Sequence, residues 1–79
     1  MSIQDEVIAI VSRVIKVPAS ELDAESGLGT VQGWDSLNHT SLVLALEDAF
    51  DIGFDFDELD RIVTVAAITQ SLEAKGVTR

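Results

Sequence analysis

An all-α fold, a small four-helix bundle with a long loop between the first and second helices and a short third helix, is predicted by three features of this chain. Its 79 residues are 47% hydrophobic and 24% charged, a mix that suits a folded globule rather than a disordered tail. Apolar residues recur at spacings of three and four, the period of one face of a helix. Gly and Pro gather in residues 17–34 and again at Gly53, cutting that periodicity into separate segments. At this length we expect one domain, residues 1–79, with a small core.

The elements follow in order. Ile3, Val7, Ile10, Val11 and Val14 predict an amphipathic helix over about residues 3–15, ended by Pro18. Residues 17–34 read as an ordered loop anchored by Leu22, Leu28 and Val31, with a short helical turn near Ser20 to Leu22. A loop of this length in a small domain is usually functional. Asp35 is a good N-cap, so the second helix is expected to run from Ser36 to about Phe50. A short third helix from Asp57 to Ile62 should follow Gly53. Thr64 can cap a fourth, in which Val65, Ile68 and Leu72 form one apolar stripe before Gly76.

The second helix has two apolar faces. Leu42, Val43, Leu46, Ala49 and Phe50 cluster on one side, as a core face should. Leu37 and Leu44 point the other way, among Thr40, Ser41, Glu47, Asp48 and Asp51. An apolar strip flanked by acids suits a partner that offers an apolar hollow rimmed by Lys or Arg. Single exposed leucines are ordinary on any protein surface. Leu37 and Leu44 together, with Glu47 and Asp48, are the residues we expect at a partner interface.

Charge narrows the partners. The formal net charge is −9, and between Val17 and Asp60 there is no Lys or Arg, while eleven of the fourteen acids lie there. That field repels nucleic acid and anionic lipid and speeds encounter with basic protein surfaces; a merely solvated acidic surface is the plain alternative. No segment has the roughly 20 apolar residues of a membrane span, and the N-terminus lacks a basic, apolar leader. A cytoplasmic protein without membrane insertion is expected. With no cysteine there is no disulfide, no thiolate metal site and no catalytic thiol.

Ser36 is the candidate for chemistry. Behind an Asp35 cap it falls on the first helical turn, where unpaired backbone N–H groups and the positive end of the helix dipole favour a phosphate. Three rival readings are weaker. Ser36 and His39, three apart on one helix, seldom set a base against a nucleophile, and no Gly-x-Ser-x-Gly elbow is present; His39 is expected as a partly buried helix residue. Asp51, Asp55, Asp57 and Asp60 do not match a calcium loop, so no metal is assigned. An unmodified acidic helical module docking on a basic protein shares every feature except a need for Ser36.

Gly33-Trp34-Asp35-Ser36-Leu37 resembles the phosphopantetheine attachment motif of the acyl and peptidyl carrier proteins. The run from Leu42 to Phe50 and the segment Ile62-Val63-Thr64-Val65 resemble that family too, so the likeness covers nearly the whole chain. It implies an acyl-carrier-protein-like bundle, with no catalytic activity of its own. By the resemblance Ser36, flanked by Asp35 and Leu37, carries a 4′-phosphopantetheine arm donated by coenzyme A, whose thiol holds an acyl or aminoacyl group as a thioester. The implied partners are a phosphopantetheinyl transferase, a loading ligase or transferase, and downstream synthases or transferases. The carrier is expected to act as a free-standing monomer. Its helices would shelter an acyl chain among Leu42, Leu46, Phe50 and Ile62, residues that core packing explains equally well.

Departures from the family pattern point to a specialised pathway, in polyketide, nonribosomal peptide or cell-surface modification chemistry. Fatty-acid carriers usually show more acids on the second helix, whereas Asn38, His39 and Ser41 stand here, with no acid between Ser36 and Glu47. Trp34 before the motif and Phe54-Asp55 after the helix lean the same way.

Overall fold

Capping decides where the first helix begins. In a computed structural model that describes residues 2–77, the Ser2 hydroxyl accepts from the Asp5 amide and the Asp5 carboxylate accepts in return from the Ser2 amide. Helix α1 (Ile3–Ile15) then buries Ile3, Val7, Ile10, Val11 and Ile15, the stripe read from the sequence with Ile15 in place of the half-buried Val14. It stops at Lys16, whose left-handed backbone (φ 61°) closes the last turn, and Ser12 Oγ donates to Val17 O across that end.

Helices α2 (Ser36–Phe50) and α3 (Val65–Ala74) both pack on α1 and approach each other less. α2 buries Leu42, Leu46 and Phe50; Val43 is half-buried at the core edge, and Ala49, expected on the core face, is exposed. α3 begins with Thr64 Oγ1 accepting from the Ala67 amide and buries Val65, Ile68 and Leu72, as its pattern requires. Leu42, Leu46, Phe50 and Ile62 therefore belong to one packed core, each at most 8% exposed.

The third helix expected over Asp57–Ile62 is shorter. A 3-10 turn, Phe56–Glu58, takes its place and runs into a further turn at 59–61, so among the described residues the all-α fold is built from three α-helices, a second 3-10 turn at Ala19–Glu21, and connecting loops. Six residues are too few to sustain an α-helix alone. Here the turn is fixed from outside: Glu58 accepts from Lys75 Nζ (2.6 Å), Ser71 Oγ (2.6 Å) and the Asp55 amide (2.9 Å). Lys75 also lies over the Phe54 ring, 5.5 Å from its centroid. The turn after α2 is thereby strapped to the end of α3.

The long loop after α1 is held just as firmly. Gly27 pairs with Thr64 in an isolated antiparallel bridge, with Leu28 donating to Val63 O, Val65 to Ser26 O and Ala66 to Ala24 O. Buried Ser26 exchanges hydrogen bonds with Asp23, and Leu22 reaches the core. A Cβ on Gly27 would stand 2.5 Å from Val63 O, so only glycine permits this approach.

Two outcomes follow for stability. Gly27→Ala should cost about 1–3 kcal/mol, read from urea midpoints, because backbone rather than a mobile side chain must move. Glu58 has its acidity raised to a pKa of about 2, first by the Lys75 hydrogen bond and then by those from Ser71 and Asp55. Because the folded value lies below the ordinary 4.5, its contribution is complete above that pH and fades as pH falls toward 2. Glu58→Gln should lower the urea midpoint at pH 7, and its gap from wild type should close over that window.

Candidate functional site

The junction between the long loop and α2 is built from contacts within seven residues. Trp34 is 1% exposed, and its buried Nε1–H donates to His39 Nδ1 at 2.9 Å. The two rings lie 6.1 Å apart and nearly parallel. With Nδ1 accepting, the imidazole proton resides on Nε2. Burial disfavours the charged ring and lowers the His39 pKa below its usual 6.5, in keeping with the half-buried position expected for it. Asn38 Nδ2 donates back to Gly33 O at 2.7 Å, and Gly33 needs both its positive φ (93°) and its missing side chain, since a Cβ would approach Ile15 O to 3.1 Å.

Within that frame Asp35 caps α2, its Oδ1 accepting from the Asn38 amide at 2.8 Å. The His39 amide donates to Asp35 O, the first bond of the helix ladder. Among the described residues the Ser36 and Leu37 amides have no acceptor, and the Ser36 hydroxyl has no partner. Asp35, Ser36 and Leu37 are all exposed, Leu37 at 78%. An exposed hydroxyl beside two free amides at the positive end of a helix is suited to a phosphate ester. No Lys or Arg stands between Val17 and Asp60, and the free Ser36 and Leu37 amides are the donors this turn itself offers such a group.

The outer face of α2 is partly as expected. Leu44 is 63% exposed and Asp48 is exposed. Glu47 is half-buried instead, its Oε2 accepting from the Phe54 amide at 2.9 Å and so closing the turn after α2. Phe56, 86% exposed between Asp55 and Asp57, joins Leu37 and Leu44 as a large apolar side chain in water. The sequence reading missed it, although its acidic neighbours were a signal that this ring stays outside. Leu44 and Leu59 share a shallow hollow of about 220 Å³ with His39, Thr40 and Val43. Among the described residues no group of His, Cys, Asp or Glu could hold a metal ion, and no helix is long and apolar enough to cross a membrane.

The cap can be tested apart from any chemistry. Asp35→Ala should destabilise the chain by about 1 kcal/mol in urea unfolding, and Asp35→Ser, which restores an oxygen acceptor, should recover most of it.

Comparison with known proteins agrees with this geometry. Residues 5–72 match the family described as Phosphopantetheine attachment site, a span that contains α2 from its cap to its end. Over 73 residues the chain is 37% identical to an acyl carrier protein of Prochlorococcus marinus (strain MIT 9515), which takes in 92% of this chain and 91% of that relative. Members of this family bind 4′-phosphopantetheine covalently and act as carriers, not catalysts. By these matches the chain belongs to the phosphopantetheine-attachment family of acyl carrier proteins.

Proposed function

We propose that Ser36 is the residue that bears the 4′-phosphopantetheine arm, and that residues 1–79 act as one carrier domain for acyl or aminoacyl groups. The observation that carries this reading is the exposed Ser36 hydroxyl, unpartnered on the first turn of a capped helix. The surroundings fit the group: the free Ser36 and Leu37 amides face a phosphodiester, and the Asp35 carboxylate is occupied by the Asn38 amide. The arm's terminal thiol supplies the sulfur, absent from the chain itself, that holds cargo as a thioester. A long tether raises the cargo's effective concentration in a partner's active site, and weak docking lets one carrier serve several enzymes in turn.

A phosphopantetheinyl transferase using coenzyme A, a loading ligase or transferase, and downstream synthases or transferases are the partners this reading requires. Leu37, Leu44 and Asp48 are proposed to meet them. Glu47 supports the same surface indirectly, by holding the turn at Phe54. A specialised pathway is favoured because Asn38 and His39 are spent on internal hydrogen bonds, so this stretch of α2 offers partners few charges. The carrier is proposed to work as a cytoplasmic monomer.

Intact-protein mass after incubation with coenzyme A and a broad-specificity phosphopantetheinyl transferase tests the attachment. Wild type should gain the mass of one phosphopantetheine and Ser36→Ala none, with both chains giving the same helical circular dichroism. A folded wild-type chain that gains nothing would instead favour an unmodified acidic interaction module.

A further inference from the structure

A buried side-chain nitrogen on α2 lacks what burial demands. Among the described residues His39 Nε2 is the buried side-chain nitrogen or oxygen without a hydrogen-bond partner. The Trp34 bond to Nδ1 makes Nε2 the protonated nitrogen, so the orphan is a donor. Such a donor costs stability unless something accepts from it. The ring lines the hollow shared with Thr40, Val43, Leu44 and Leu59. Three of those walls are hydrocarbon, and the Thr40 hydroxyl already donates to Ser36 O. The missing complement is therefore an oxygen acceptor on an aliphatic stem.

The hollow begins one helical turn from Ser36, since His39 and Thr40 stand three and four residues on, an axial rise of roughly 4.5–6 Å. Leu44 and Leu59 on its rim are exposed, and exposed side chains change rotamer on the picosecond to nanosecond scale. Resting on the reading that Ser36 bears the arm, we propose that His39 Nε2–H donates to a carbonyl oxygen of the bound group, seated in this hollow. That carbonyl is either an amide of the arm or a carbonyl of the cargo. His39 would then be a binding residue, and an oxygen at the matching position would distinguish well-held cargo from poorly held cargo.

The chain has one histidine, so its imidazole can be followed by ¹⁵N NMR without ambiguity. The transferase is supplied with coenzyme A, butyryl-coenzyme A or 3-oxobutyryl-coenzyme A, and each product is checked by mass before its Nε2 proton is compared with the unmodified chain. Exchange of that proton should slow about tenfold, the effect of one hydrogen bond, and its resonance should move downfield, which coverage by an alkyl chain alone would not cause. Slowing in all three products assigns an arm amide. Slowing only in the two acylated products assigns the thioester carbonyl, and slowing only with 3-oxobutyryl assigns the cargo's second carbonyl. Unchanged exchange and shift in three products of correct mass would overturn this inference and leave the attachment reading standing. Absence of any mass gain on the folded chain would overturn both.

Discussion

Burial of the Trp34 indole is the constraint on which the rest of the site depends. A ring of this size removed from water carries much of the small core, but its N–H must find an acceptor. The acceptor is His39, five residues on and already inside α2, so the end of the loop is joined to the first turn of the helix across the Asp35 cap. Asn38 adds a second tie back to Gly33. Residues 33–39 form a closed unit that leaves Asp35, Ser36 and Leu37 at the surface and fixes the direction in which they project.

That unit is seated on a frame in which the loop works as a structural layer. The Gly27–Thr64 bridge joins the loop to the start of α3, while Gly33 rests against the end of α1. The α2 start is thus referenced to both other helices. On the opposite side, the strap from Glu58 to Ser71 and Lys75 returns the chain after α2 to the end of α3. A net charge of −9 opposes compaction, and Lys75, a cation among the acids, is used where it relieves that repulsion locally.

What could be read in the sequence was local. Periodicity located α1, α2 and α3, and Asp35 and Thr64 announced the helix starts because a cap acts over three residues. Exposure of Leu37 and Leu44 followed from their angle on α2. The departures came from contacts that no short window contains. Glu58 meets partners 13 and 17 residues away, and the expected third helix becomes a 3-10 turn. Glu47 is drawn off the outer face by an amide seven residues on. The pairing of Trp34 with His39 crosses a helix boundary, where neither the helical period nor the loop composition links the two residues.

The composition of the side chains has a chemical consequence for a chain proposed to hold activated thioesters. Such a bond is open to attack by any nearby thiol or free amine, and a carrier that acylated itself would be lost from its cycle. This chain offers no thiol, and its lysines are only Lys16 and Lys75. Lys75 is held in an ion pair with Glu58, which leaves Lys16, the C-cap of α1 beside Gln32 and Gly33, as the lysine nearer the start of α2. For a chain with that proposed role, two lysines and no thiol keep the nucleophiles it could turn on its own freight few.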